Sequence, residues 1–140
     1  MISEITNLIS IGDSEDARRA DNKKYDAVLN VALDFDWRDG FKWRYKVGLL
    51  DGPGNHPGTF FAAVVLLDSL VKSGKRVLVH CGAGMSRSVM VVAAWLTVQS
   101  IHGDLDLNLT QVMAARKVTT YRPELYNLAV NTIQLWRRLC

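Results

Sequence analysis

Apolar and polar residues alternate between residues 41 and 50 with the two-residue period of a half-buried β-strand. The apolar face consists of Phe41, Trp43, Tyr45 and Val47, and the basic face of Lys42, Arg44 and Lys46. We expect the basic face to be solvated rather than to contact a ligand. Shorter apolar runs predict three further strands, over residues 7–12, 25–32 and 75–80, of which the last is expected to be the most buried.

Apolar residues three or four positions apart predict helices over much of the remaining chain. The longer helices are expected at residues 59–74, 86–103, 108–117 and 122–139. The 86–103 segment is apolar nearly all round, as in a central helix. A short helix is expected after Asp13 or Ser14, either of which can cap it, and Pro123 suits the first turn of the last helix. Apolar residues recur with helical spacing at Phe60, Val64, Leu67 and Val71 in the 59–74 helix. In the last helix, one stripe is formed by Leu125, Leu128, Thr132 and Leu135.

Strands and helices alternate through the middle of the chain, and helices complete it. This order predicts an α/β fold in which a mostly parallel central sheet is flanked by helices, within one domain over residues 1–140. Ligands of such sheets lie beyond the carboxyl ends of the strands. Because Cys81 directly follows the strand predicted at residues 75–80, we expect it at that edge.

The composition is that of a globular protein with a core, because 49% of its 140 residues are hydrophobic and 22% are charged. A net charge of +3 favours an anionic substrate but is too small to indicate nucleic-acid binding. The first residues do not have the pattern of a signal peptide, and the longest apolar segment, residues 89–96, is too short to span a bilayer. We expect a soluble, cytoplasmic, monomeric protein with no membrane or nucleic-acid partner.

The cysteines and histidines of the chain give no sign of a disulfide framework or a metal site. The two cysteines are Cys81 and Cys140, and the three histidines are His56, His80 and His102. Two cysteines are too few for a framework, and the five residues together lack metal-ligand spacing. The sequence therefore predicts no metal and no other cofactor.

Residues 80–88 read His-Cys-Gly-Ala-Gly-Met-Ser-Arg-Ser and connect a predicted strand to a predicted helix. A glycine-containing turn in this place directs several backbone N–H groups into one concavity, and the helix N-terminus adds partial positive charge. Gly82 and Gly84 let an anion approach the main chain, and the planar guanidinium of Arg87 can hold two phosphate oxygens. The residues expected to bind phosphate are Gly82, Ala83, Gly84, Met85, Ser86 and Arg87.

Cys81 is expected at the bottom of this concavity, where the helix end and the N–H donors favour a thiolate over a thiol. A thiolate beneath a bound phosphate can attack phosphorus in line and form a cysteinyl-phosphate. We expect Ser88 to hydrogen-bond the sulfur and ease its departure, and His80 to orient the loop backbone. A lone cysteine would be interpreted as a core residue, but the residues around Cys81 favour catalysis.

The motif resembles the signature loop of the cysteine-dependent protein phosphatases, and matches the HCxxGxSRS pattern of their dual-specificity branch at every fixed position. The segments LISIG, VLNVA, GKRVLVHC and RPEL follow in the order of a minimal dual-specificity domain. The resemblance implies a compact domain that hydrolyses phosphotyrosine, and often phosphoserine or phosphothreonine, in phosphorylated proteins without a metal.

Cleavage of a phosphate ester requires a proton for the leaving oxygen, which a carboxyl group on a neighbouring loop can supply before it acts as a base toward water. The candidate acids are Asp34, Asp36, Asp39 and Asp51. Asp51 begins a Gly- and Pro-rich loop between a strand and a helix, which places it at the sheet edge of Cys81 and in the position of the family's acid. The alternatives are that Asp51 only shapes this turn and that Asp34 is the acid, while His56 is expected to be a surface residue.

The loop residues between Cys81 and Arg87 are uncharged, whereas phosphoinositide phosphatases of the same superfamily commonly carry lysines there. This favours a protein substrate, with a phosphoinositide or an RNA 5′ end as the alternative. A sulfurtransferase-like enzyme and a phosphate-binding module without turnover are disfavoured by the arginine, the following serine and Asp51. Phe35 or Trp37 could line a shallow cleft that accepts both phosphotyrosine and phosphoserine, although packing in the core is the simpler interpretation.

Overall fold

Five strands form one sheet in the computed structural model, which describes residues 1–36 and 43–139. They are β1 (Ser3–Glu4), β2 (Ile9–Gly12), β3 (Ala27–Ala32), β4 (Arg44–Leu49) and β5 (Val77–His80). Their order across the sheet is β1-β2-β5-β3-β4, and the pairings are parallel except that of β1 with β2. The mostly parallel sheet expected from the sequence is therefore confirmed.

Five helices accompany the sheet in the part of the chain that the structure describes. They are α1 (Ser14–Arg18), α2 (Pro57–Lys72), α3 (Arg87–Val98), α4 (Leu105–Arg116) and α5 (Pro123–Leu139). Asp13 caps α1 by accepting a hydrogen bond from the Asp16 N–H at 2.7 Å. Every residue of α3 except Leu96 is buried, which confirms the prediction of a central helix.

The two faces of the sheet are covered differently, because neighbouring residues along a strand point to opposite sides. Leu29 and Val79 belong to the large core cluster, which also contains buried residues of α2, α3, α4 and α5. Val28 and Leu78 belong to a smaller cluster with Ala17 of α1. Strands β3 and β5 are therefore buried on both faces, as their continuous apolar runs predict.

The structure differs from the predicted elements in several places. β4 begins at Arg44, and Trp43 before it is exposed; the predicted strand residues Phe41 and Lys42 lie outside the described residues. β1 is only two residues long, too short for a periodic pattern. The buried stripe of the last helix is Leu125, Ala129, Thr132 and Ile133. Leu128 and Leu135, the other members of the predicted stripe, are only partly buried, and Leu128 packs against the core.

α2 begins earlier than predicted, at Pro57, because the exposed His56 caps it. The Nδ1 atom of His56 accepts a hydrogen bond from the Gly58 N–H at 2.9 Å. Its surface position agrees with the expectation, and its capping role was not foreseen. Among the described residues, no helix combines the length and the apolar character needed to cross a membrane.

The register of the parallel strands brings their carboxyl ends to one edge of the sheet. His80 is opposite Gly12 on one side and Asn30 on the other, while Ala32 is opposite Leu49. The chain segments that leave β2, β3, β4 and β5 therefore meet at this edge. Cys81 and the candidate acids after β3 and β4 lie on these segments.

Candidate active site

The anion loop, residues 81–87, connects the end of β5 to the first turn of α3. Gly84 has a φ of +70°, in the left-handed region that a glycine adopts without strain. The Ser14 N–H donates to the Gly82 carbonyl oxygen at 2.9 Å, which attaches the loop to the start of α1. Ser86 is the N-cap of α3, but its side chain makes no capping hydrogen bond.

The Cys81 sulfur lies inside this loop, and the residue is only 2% exposed. Its Sγ is 3.3 Å from the Ser88 Oγ. Burial raises the pKa of the thiol, but hydrogen bonds from the Ser88 hydroxyl and the backbone N–H groups of Ser88, Ser86 and Gly84 outweigh it. The net pKa is lowered from 9.0, as expected for a cysteine surrounded by N–H donors.

Arg87 is 5% exposed and is held at one of its nitrogens. Its Nη1 donates to the Asp34 carboxylate at 2.5 Å and to the Leu49 carbonyl oxygen at 2.9 Å. Its Nε and the Ser86 Oγ are buried and have no hydrogen-bond partner among the described residues. Unpaired buried polar atoms are costly, so these two atoms indicate a site for a polar ligand.

A cavity of about 480 Å³ opens over the anion loop. The loop contributes Cys81, Ala83, Met85, Ser86 and Arg87 to its lining. Asp51, two residues after β4, lines the same cavity, although it lies 30 positions before the cysteine in the sequence. The structure thus brings the expected nucleophile, the expected acid and four of the six expected phosphate-binding residues to one space, while Gly82 and Gly84 are not in its lining.

The remaining candidate acids are placed differently. Asp34 contacts Arg87, whose hydrogen bond lowers the pKa of the Asp34 carboxyl. Asp36 pairs with Lys46 at 2.6 Å and does not line the cavity. Asp39 lies outside the described residues. Asp51 pairs with Arg122 at 3.1 Å and remains partly exposed.

Comparison with known proteins identifies the family of this fold and loop. Residues 9–125 match the family model described as the dual specificity phosphatase catalytic domain. The chain belongs to the dual specificity phosphatase family. It is 31% identical over 103 residues to dual specificity protein phosphatase 4 of Gallus gallus, a match that covers 69% of this chain and 27% of that protein. The matched part is thus about a quarter of the length of that relative.

Solved structures of dual specificity phosphatases share the fold over nearly the whole chain. A variant of human DUSP28 superposes with a TM-score of 0.82 at 17% identity and covers 99% of this chain and 98% of its own. A mouse putative dual specificity phosphatase complexed with zinc tungstate has a TM-score of 0.79 at 20% identity and covers 99% and 89%. PTPMT1 has a TM-score of 0.79 at 17% identity and covers 99% and 98%.

His80 of this phosphatase domain is fully buried beside the nucleophile position. Its Nδ1 is 3.2 Å from the Cys81 carbonyl oxygen, so this nitrogen carries the proton and donates. Burial lowers the pKa of His80 to about 4, which keeps the ring neutral near pH 7. Phe35 packs edge-on against the ring with 5.9 Å between the centroids. Phe35 does not line the cavity, and Trp37 lies outside the described residues.

One wall of the phosphatase cavity was not anticipated as part of the site. It is formed by the segment between α4 and α5 with the start of α5: Val118, Thr120, Tyr121, Arg122, Pro123 and Glu124. One carboxylate oxygen of Glu124 is buried and has no hydrogen-bond partner in the described part of the chain. The sequence marks this place only by the Arg-Pro-Glu-Leu segment, which predicts a helix start and carries no sign of distance from Cys81.

A metal site has no support in the described residues. Within residues 1–36 and 43–139, no three histidine, cysteine, aspartate or glutamate side chains are grouped so that they could hold a metal ion.

Proposed function

We propose that this protein hydrolyses phosphotyrosine, and also phosphoserine and phosphothreonine, in phosphorylated proteins through a cysteinyl-phosphate intermediate. One observation carries the proposal: the Cys81 sulfur accepts hydrogen bonds from Ser88 and from backbone N–H groups of the loop, next to the unpaired Nε of Arg87. This arrangement supports both an ionised nucleophile and an oxyanion bound in front of it.

The first step forms a sulfur–phosphorus bond and breaks the bond between phosphorus and the substrate oxygen. The Cys81 thiolate supplies the electron pair, and the leaving oxygen takes a proton from the Asp51 carboxyl. The backbone N–H groups of the anion loop and the free edge of the Arg87 guanidinium stabilise the charge on the remaining phosphate oxygens.

The second step returns the enzyme to its starting state. Water attacks phosphorus while the Asp51 carboxylate accepts its proton, and inorganic phosphate is released. Sulfur leaves as a thiolate, and the Ser88 hydroxyl, 3.3 Å away, donates a hydrogen bond to the charge that develops on it. The proton on Asp51 is the one needed for the next cycle, so atoms and charges balance.

A protein substrate is favoured by the character of the cavity walls. The loop residues 82–86 carry no charge. Tyr121 is 47% exposed in the wall, where its ring can contact the body of a phosphorylated side chain. The structural neighbour from mouse is complexed with zinc tungstate, which contains a tetrahedral oxyanion like phosphate.

A phosphoinositide is the second candidate substrate. PTPMT1, which shares the fold, has also been solved in complex with PI(5)P, with a TM-score of 0.79 to this chain. Arg122 offers a half-exposed cation at the cavity for an additional phosphate group. Release of phosphate from phosphopeptides and from phosphoinositide vesicles, measured side by side, decides between the two substrate classes.

The central test is hydrolysis of para-nitrophenyl phosphate without added metal, with vanadate as an inhibitor. We expect Cys81→Ser to lower kcat by at least about 10³-fold, because a serine hydroxyl is not ionised at neutral pH. The variant should still bind tungstate, since backbone groups and Arg87 remain. Cys140→Ser, which changes the chain's other cysteine, is the matched control and should keep full activity.

Two results would contradict the proposal. Turnover by Cys81→Ser at the rate of the unchanged protein would remove Cys81 as the nucleophile. Tungstate binding without any turnover by the unchanged protein, on aryl phosphates and phosphopeptides alike, would instead indicate a phosphate-binding module.

A further inference from the structure

Arg116, in the last turn of α4, joins the anion loop to two strands of the sheet. Its Nε donates to the Gly84 carbonyl oxygen at 2.9 Å. Its Nη1 donates to the Ile11 carbonyl oxygen at 3.0 Å and to the Ser3 Oγ at 3.1 Å. The guanidinium therefore connects α4, β1, β2 and the loop, which are distant in the sequence.

The surroundings of Gly84 leave no room for a side chain. A Cβ atom at this position would lie 2.4 Å from the Gly12 carbonyl oxygen and 2.7 Å from the Arg116 Nη2. The loop is therefore in direct contact with the end of β2 on one side and with the guanidinium on another. A change in the position of Arg116 would release the loop at this point.

The contact with the Gly84 carbonyl oxygen determines how neighbouring N–H groups are directed. In a trans peptide the C=O of one residue and the N–H of the next point in opposite directions. Arg116 holds the Gly84 oxygen on its own side, so the Met85 N–H points away from it. The N–H of Gly84, which lies on the preceding peptide unit, is among the backbone groups that lower the pKa of the Cys81 thiol.

We propose that Arg116 is a positioning residue that holds the peptide unit between Gly84 and Met85, so that the Met85 N–H faces the bound phosphate and the Gly84 backbone stays in place beside the sulfur. This inference rests on the proposed function of the loop. α4 contributes no residue to the cavity lining. Through Arg116, this helix would nevertheless influence the ionisation of Cys81. The positive charge of the guanidinium favours the thiolate in addition to its geometric effect.

The test compares Arg116→Met and Arg116→Lys in a Cys140→Ser background, in which Cys81 is the only thiol. The rate of alkylation by iodoacetamide is measured against pH without substrate, and kcat and KM are measured with para-nitrophenyl phosphate. For Arg116→Met we expect the alkylation profile to shift to higher pH and kcat/KM to fall about 10- to 100-fold, the effect of losing one charge-assisted hydrogen bond. Arg116→Lys should be intermediate, because an ammonium keeps the charge but not the planar geometry.

Arg137→Met is the matched control. Arg137 is also an arginine in the last turn of a helix, and its Nη2 donates to a backbone carbonyl oxygen, that of Gly103, at 2.9 Å. Neither residue belongs to the anion loop. We expect this variant to keep the alkylation profile and kcat/KM of the unchanged protein, whatever its effect on the melting temperature.

The proposal is overturned if Arg116→Met keeps the alkylation profile of the unchanged protein, or if its losses only equal those of Arg137→Met. If Arg116→Met does not fold, the profile of Arg116→Lys decides, and an unshifted profile rejects the proposal. Absence of phosphatase activity in the unchanged protein would reject the proposed function, while the alkylation profiles would still decide the role of Arg116.

Discussion

The candidate acids Asp34 and Asp51 have different partners and different positions relative to the cavity, which indicates different roles. Asp34 is 73% exposed at its side chain, and its hydrogen bond with Arg87 lowers its pKa. Asp34 does not line the cavity, so it lies away from the space in which a leaving oxygen would need a proton. Asp51 lines the cavity itself and pairs with the more exposed Arg122. The geometry therefore favours Asp51 as the acid and Asp34 as a residue that positions Arg87.

At this scale we expect Asp51→Asn and Asp34→Asn to differ in their dependence on the leaving group. Asp51→Asn should lower kcat about 10²-fold for phenyl phosphate, which needs a proton on its leaving oxygen, and much less for para-nitrophenyl phosphate. Asp34→Asn should weaken phosphate binding and lower kcat/KM equally for both esters, because it loosens Arg87. Steady-state kinetics with the two substrates measure both effects.

Glu124→Gln is the control for these two variants, because Glu124 is a further carboxyl group in the cavity lining. We expect it to show no dependence on the leaving group. The assignment of the acid would be contradicted by two results together. One is a loss of kcat confined to phenyl phosphate in Asp34→Asn or Glu124→Gln, and the other is an equal loss with both esters in Asp51→Asn.

At the scale of elements, the connection between β5 and α3 combines the proposed nucleophile and the proposed anion-binding N–H groups with the first turn of a buried helix. Its conformation depends on two glycines with different surroundings. A Cβ at Gly84 would collide with the Gly12 carbonyl oxygen, whereas a Cβ at Gly82 would meet only the Arg87 Nη2, at an ordinary 3.6 Å. Gly84 also has a positive φ, and Gly82 does not.

We therefore expect Gly84→Ala to destabilise the fold by at least about 1 kcal/mol and to lower kcat/KM at least about 10-fold. The side chain cannot be accommodated unless the loop moves away from β2 and Arg116. Gly82→Ala, the matched substitution, should change both quantities far less. Chemical denaturation and kinetics on the two variants measure this difference, and equal effects would show that the contact with Gly12 does not determine the loop.

At the scale of the whole molecule, the buried His80 links stability to pH. An unfolded chain protonates this histidine near its ordinary pKa of 6.5, whereas the folded protein does so only near about 4. Between these values the unfolded state binds more protons, so stability falls as the pH falls. Hydrogen bonds to Arg76 lower the pKa of Asp26 to about 2. The stability that the ionised Asp26 contributes is therefore lost only as the pH falls below 3.8, the ordinary pKa of an aspartate.

We expect the free energy of unfolding to decrease by about 3 kcal/mol between pH 7 and pH 4 through His80 alone, the equivalent of the gap between its two pKa values. Urea denaturation at a series of pH values measures this slope. His80→Asn should reduce the slope, and His102→Asn, at an exposed histidine, should leave it unchanged. A slope that persists in His80→Asn would assign the acid sensitivity to other groups.

Several features of this protein were determined by its sequence alone. The strand of residues 77–80, the loop after it and the central helix are consecutive in the chain. Hydrophobic periodicity and one motif were therefore sufficient to predict these elements. The same motif predicted that Cys81, Ser86, Arg87 and Ser88 lie close together. Asp51 was also expected at this edge, because the carboxyl ends of parallel strands meet. Residue spacing encodes the strand, the loop and the helix because their interacting groups are close in the chain, whereas the position of Asp51 follows from the parallel order of the strands.

Only the tertiary structure decided which distant groups complete the site. Asp34 contacts Arg87 across 53 positions, and Arg116 contacts Gly84 across 32 positions. The pairing of Arg122 with Asp51 and the cavity wall from Val118 to Glu124 depend on how α4 and α5 pack on the central helix. These contacts arise from the packing of whole elements, and the periodicity of an element predicts which face is buried but not which polar side chain at its end reaches the site.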